Sequence, residues 1–117
     1  MNGSMIENVL PAVIEQGVAE FCDIFCEQGV FSLEQSRRLL SAAAASGLRS
    51  KLHADEIVAL GGAELAAELN AVSADHLLQA TDMGIKALAD KGVVATLLPA
   101  TAFCLRESYA RAREMID

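Results

Sequence analysis

Four short runs of strand-forming character recur along this chain, each followed by a helix signal. That alternation restricts the fold more than any other feature. The runs are FCDIFC at 21–26, SKLHA at 50–54, VSADH at 72–76 and VVATLLP at 93–99. Each is bounded by turn or cap residues, and three of the four are apolar enough to be buried. Between them, Ser32 and Gln35 form a capping-box pattern ahead of LEQSRRLLSAAAAS, with Gly47 placed as its stop. GAELAAELN sets Leu65, Ala66 and Leu69 on one stripe and leaves Glu64 and Glu68 outside it. Thr81 or Asp82 caps MGIKALADK, and Gly92 ends it. The closing RESYARAREMID is rich in helix formers, and MIENVLPAVIEQG reads as a helix ahead of the first strand, awkwardly interrupted by Pro11.

The order is therefore α-β-α-β-α-β-α-β-α, which argues for a parallel sheet with right-handed crossovers. Strand ends fall near 26, 53, 76 and 98, so the spacings are 27, 23 and 22 residues. That is close to the ~30 residues per unit of an eight-fold barrel. The expectation is an α/β fold in which four parallel strands and about five helices make up about half of a (β/α)8 barrel. Residues 6–117 should form this single domain. The opening MNGS looks like an expression scar, so residues 1–5 are expected to be vector-derived or disordered.

Composition narrows the functional classes. At 53% hydrophobic and 21% charged, the chain is too apolar for disorder. It has no apolar run of the ~18 residues a membrane helix needs, and its first residues do not resemble a signal peptide. A formal charge of −7, with scattered Lys and Arg apart from Arg37–Arg38 and the Arg106, Arg111, Arg113 cluster, argues against nucleic acid. Three cysteines without a secretory signal suggest free thiols and a cytoplasmic setting. Cys22 and Cys26, four strand positions and so ~13 Å apart, are too distant to share an ion and read as small buried hydrophobes. The methionines Met83 and Met115 read as packing residues, and Arg37, Arg38, Arg111 and Arg113 as solvated helix faces. GGAE is too short a glycine run to claim a phosphate.

Only two histidines are present, and both fall at expected strand ends, His53 on the second and His76 on the third. Parallel α/β folds build their chemistry at the C-terminal ends of strands. Neighbouring strands lie ~4.8 Å apart, so one crossover could bring both rings to one cleft. Such histidines also serve as hydrogen-bonded structural residues. Asp55 and Glu56 could be solvated loop carboxylates, or could open the next helix where acids favour the dipole. From the residues alone, two histidines and two carboxylates can be fitted to a metal site, but their spacing does not demand one.

FCDIFCEQGVFSLEQSRRLL, KLHADEIVALGGAELAAELNAVSADHL and VVATLLPATAFCLRESYARAREMID together resemble the imidazolonepropionase family of the amidohydrolase superfamily, from about residue 6 to residue 117. The HADE, GGAELA and SADHL series is the most specific part. The resemblance implies a (β/α)8 barrel with one zinc or iron ion, hydrolysing 4-imidazolone-5-propanoate to N-formimidoyl-L-glutamate in histidine degradation. It implies that His53 is a metal ligand on the fifth strand. It implies that Glu56 contacts the substrate ring, and that His76 on the sixth strand lies beside the metal-bound water and the substrate, so that Glu56 and His76 are both catalytic and substrate-binding. From its position alone, after the last strand, Arg106 reads as a plain salt-bridge residue, with a substrate carboxylate as the alternative partner.

The family pattern also has a His-x-His pair on its first strand and an aspartate on its eighth, neither of which this chain contains. The match spans roughly the fourth to seventh strand units, so the chain reads as a central fragment holding one of four expected ligands. A fragment of that kind is expected to be inactive and not to retain the ion. With an uncovered sheet face and two open edges, it is expected to self-associate. The alternatives are a non-catalytic α/β assembly domain, or part of another amidohydrolase such as a deaminase.

Overall fold

The structure, a computed structural model, describes residues 2–117. Helical backbone begins at Asn2–Ser4 (α1), passes through a π-helical turn at Met5–Val9 and continues as Leu10–Gln16 (α2). Pro11 accounts for the wide turn. The Leu10 N–H donates to the Met5 carbonyl, five residues back, immediately before the proline. A proline ring crowds the carbonyl four residues upstream and has no N–H to give, and a π turn accommodates both. Met1 lies outside the described residues, and Met5 packs against the core.

Strand β1 (Phe21–Cys26) is followed by α3 (Leu33–Ala45), β2 (Arg49–Ala54), α4 (Gly62–Glu68), β3 (Ser73–His76), α5 (Asp82–Lys91), β4 (Val94–Thr96), α6 (Pro99–Leu105) and α7 (Ala112–Ile116). The strands are all parallel and lie in the order β1-β2-β3-β4. This is half of a (β/α)8 barrel, as the alternation implies. The expected helix signals act as read. Ser32 and Gln35 close a reciprocal capping box on α3. Thr81, not Asp82, caps α5 by accepting from the Gly84 N–H at 3.1 Å. Gly92 ends α5 in the left-handed region at φ 69°, where a Cβ is unfavourable.

The C-terminal part departs from expectation. The fourth strand is only Val94–Thr96, because Pro99 opens a helix rather than ending a strand. Proline is pre-set for a first helical turn, where its missing donor goes unnoticed. The single closing helix expected over 106–117 does not form. Arg106 turns left-handed at φ 58° and ends α6, with the Glu107 N–H returning to the Ala102 carbonyl. Helix resumes only at Ala112. Counting the unbroken N-terminal run as one, six helices stand among the described residues, against about five expected.

Strand register explains the packing. Ile24, Cys26, Leu52, Ala54 and Ala74 are buried under the helices and form the centre of the core with Leu39, Leu40, Leu65 and Leu88. The opposite face, which would look into a barrel, carries the register rows Asp23–Lys51–Ser73–Val94 and Phe25–His53–Asp75–Thr96. It is mixed rather than apolar. Val94 is 59% exposed, and its register partner on that face is Ser73. Of Met83 and Met115, both expected to pack in the core or at an interface, Met83 is 77% exposed on α5 and so lies outside the core, whereas Met115 packs against it. Arg37 ties α3 to α4 through Glu68 at 2.7 Å, and Arg111 pairs with Asp82 at 2.6 Å. Among the described residues, no helix is long and apolar enough to cross a membrane.

Candidate functional site

The middle of β1 and the exits of β2 and β3 bring four side chains into one continuous line. Asp23 Oδ2 lies 3.1 Å from His53 Nε2, and His53 Nδ1 lies 3.0 Å from His76 Nε2. His76 Nδ1 then faces Glu56 Oε1 at 3.5 Å, an ion-pair distance. The imidazole centroids are 5.1 Å apart, and the Phe25 ring meets His53 edge-on at 5.7 Å. His76 and Glu56 are buried, while His53 is half-buried. The three residues singled out from the sequence, His53, Glu56 and His76, therefore share one rim.

Backbone geometry makes this possible. His53 lies on the open face of the sheet. His76 pairs with Ala54, whose side chain points to the helices, so strict alternation would send its ring the wrong way. Instead His76 has φ 77° and Leu77 φ 58°, both left-handed. Such conformations cost of order 1–2 kcal/mol in a non-glycine residue, and they persist where the surroundings impose them. The Leu77 N–H bonds the Ala54 carbonyl and the Gln79 N–H bonds the Asp55 carbonyl, fastening this turn to the exit of β2.

The proton count of the line is informative. Two neutral imidazoles carry two N–H groups between them. These suffice for the bonds from His53 to Asp23 and from His76 to His53. The contact between His76 Nδ1 and Glu56 asks for one more proton. A cation at the Asp23 end would relieve the same shortage by replacing the His53 proton there.

The donors at that end suit such a cation. Asp23, His53 and Asp75 each offer a ligand atom, and these lie within 4.8 Å of one another. Asp75 Oδ1 is buried without a hydrogen-bond partner. An imidazole with two carboxylates is a donor set that zinc or ferrous iron accepts. Asp23 and Asp75 were not singled out from the sequence. The signal was their parity with His53, since Asp75 pairs with His53 in register and Asp23 lies on the same face of β1.

Two further carboxylates shape the rim from below. Asp55, expected in a solvated loop or at a helix start, is 1% exposed. Its Oδ1 accepts from the N–H groups of Leu60, Gly61 and Gly62, and its Oδ2 from Ala63, at 3.0–3.1 Å. It caps α4 from seven residues upstream, while Gly61 at the cap position supplies no side chain. The Gly61 and Gly62 amides are thereby occupied. Glu27, directly after β1, is 2% exposed and also went unnoticed in the sequence. Arg106 lies after the last strand, is exposed and serves as the end of α6.

The cysteines are free thiols among the described residues. Cys26 is fully buried, and burial pushes its thiol up, as it does for the half-buried Cys22.

No family model matches the chain. Individual relatives do. The chain is 69% identical to the imidazolonepropionase of Clostridium tetani, 70% to that of Bacteroides fragilis and 65% to that of Desulfotalea psychrophila, each over 113 residues. In each case the alignment covers 97% of this chain and 27% of the relative. At such identity across nearly its whole length, the chain is homologous to one segment of the imidazolonepropionases, a segment spanning 27% of their length.

Proposed function

We propose that this chain forms the part of an amidohydrolase active site that holds one side of a metal ion and grips an imidazolone ring. The observation that supports this most is the continuous contact from His53 through His76 to Glu56. The reaction is hydrolysis of 4-imidazolone-5-propanoate to N-formimidoyl-L-glutamate, in histidine degradation. His53 would hold one zinc or iron ion, with Asp23 and Asp75 beside it. When bound, the ion would supply a water acidified to a pKa of about 7. Glu56 accepts hydrogen bonds from ring N–H groups and can return a proton to the departing nitrogen. His76 lies beside the substrate and holds a proton next to Glu56.

Three free thiols support a reducing, cytoplasmic setting. Alone, the chain offers His53 as its single imidazole ligand on the open face, so it should neither retain the ion tightly nor turn over substrate. Its open edges at β1 and β4 favour self-association, which sedimentation would detect and a clean monomer would refute. The functional test uses a full-length imidazolonepropionase carrying this segment. Glu56→Gln and His76→Asn should each lower kcat by about 100-fold or more, the scale of general acid–base groups. Variants that keep kcat within a few-fold of the parent would overturn the assignment, and turnover by the metal-loaded 117-residue chain would overturn its inactivity.

A further inference from the structure

We propose that Glu27 is a positioning residue for Glu56, gripping from β1 the loop that carries it; this rests on the reading of Glu56 as the ring-binding carboxylate. Glu56 lies in residues 55–60, a stretch with neither helix nor strand, so no ladder of regular hydrogen bonds holds it. Its place must be set by what the neighbouring backbone bonds to. On the downstream side, Glu27 Oε2 accepts from the Ile57 N–H at 3.0 Å and Oε1 from the Val58 N–H at 3.2 Å. Oε1 also accepts from the Gln28 N–H at 3.1 Å. On the upstream side, Asp55 is pinned through its carboxylate to the start of α4 and through its carbonyl to Gln79. Glu56 is thus the residue between two anchors, with its own carboxylate 3.5 Å from His76.

The choice of an acid at position 27 follows from the chemistry of the grip. Three N–H donors converge on one buried side chain, which needs acceptors on both oxygens. A carboxylate provides them, and its burial is tolerable because every bond is charge-assisted. A glutamine could satisfy one oxygen position and would turn an NH2 group toward the donors at the other. Glu27 is itself held, with its N–H bonded to the Phe31 carbonyl and its carbonyl accepting from Val30. The turn after β1 is therefore rigid enough to transmit its position to the loop after β2. Glu27 approaches no reacting group in this arrangement and acts through Glu56.

The test uses the 117-residue chain and reads individual signals by NMR. In Glu27→Ala, the Ile57 and Val58 amides should exchange with solvent about 10- to 100-fold faster. The Glu56 carboxyl carbon and His76 Nδ1 signals should move at the same time, while the core amides of Leu52 and Ala74 hold. Glu27→Gln should restore part of the protection and part of the Glu56 and His76 signature; it decides the case should the alanine variant not fold. Unchanged exchange at Ile57 and Val58 overturns the proposal. So does faster exchange there with the Glu56 and His76 signals unmoved, since Glu27 would then merely support the loop. Full-length Glu56→Gln tests the functional reading separately: if that variant stays active, Glu56 has no catalytic part, whatever the exchange experiment says about its placement.

Discussion

Replacing Asp55 by alanine tests how much of this half barrel depends on one buried acid. The side chain binds four backbone N–H groups, those of Gly62 and Ala63 in buried surroundings and those of Leu60 and Gly61 in partly buried ones. In the variant, water can reach the latter pair and the former lose their partner. An unsatisfied buried donor costs about 1–3 kcal/mol, and loss of a helix N-cap alone costs about 0.5–2 kcal/mol. Because α4 has no other cap, Asp55→Ala should destabilise the chain by about 3–5 kcal/mol, a large part of the ~5–15 kcal/mol typical of a domain. Asp55→Asn keeps an oxygen for Leu60, Gly61 and Gly62 but points an NH2 group at the Ala63 N–H, so about 1–3 kcal/mol should be lost. Urea unfolding followed by circular dichroism gives both differences from the midpoints. An alanine variant within about 1 kcal/mol of the parent would refute the reasoning, because the four bonds would then be replaceable by water.

Three further outcomes are expected. Gly62→Ala would bring a Cβ to 2.7 Å from the Ala54 Cβ and 3.0 Å from its Cα; overpacking of about 1–3 kcal/mol should outweigh the gain of up to ~1 kcal/mol in helix propensity, and a lower urea midpoint would show it. Alkylation followed by mass spectrometry should label the exposed Cys104 first, Cys22 slowly and the buried Cys26 only on unfolding, since burial raises the last two thiols. The Arg37 hydrogen bond and charge hold Glu68 below its ordinary value of 4.5. That pair therefore adds stability above the unfolded-state value and loses it as pH falls through the lower folded one. Being exposed and screened by solvent, it should contribute little, so Glu68→Gln should lower the midpoint slightly at pH 7 and not at pH 3.

Most of the frame was legible because it depends on local rules. Turn and cap residues delimited three of the four strands to within a residue, and the capping box at Ser32 and the stop at Gly92 behaved as their chemistry requires. The C-terminal region was misread because propensity is a weak guide there. Residues 106–111 favour helix, but the left-handed end of α6 at Arg106 diverts the chain. The open sheet face was expected to be uncovered, but its makeup was not read. Its alternate positions hold Asp23, Lys51 and Asp75, which a count of hydrophobic residues per strand does not reveal.

By itself, the sequence determined that strands and helices alternate, that the strands run parallel, and that His53 and His76 stand at neighbouring strand ends. These follow from periodicity and from the length of a crossover, which are properties of short segments. Tertiary structure alone decided that the two rings meet. Alternation would have sent His76 toward the helices, and the left-handed turn at His76 and Leu77, bonded to Ala54 and Asp55, brings it back to His53. It also decided that Asp55 and Glu27 are buried supports and not solvated acids. A carboxylate reads the same in a sequence whether water surrounds it or amides converge on it, four on Asp55 and three on Glu27, and only the folded chain brings those amides together.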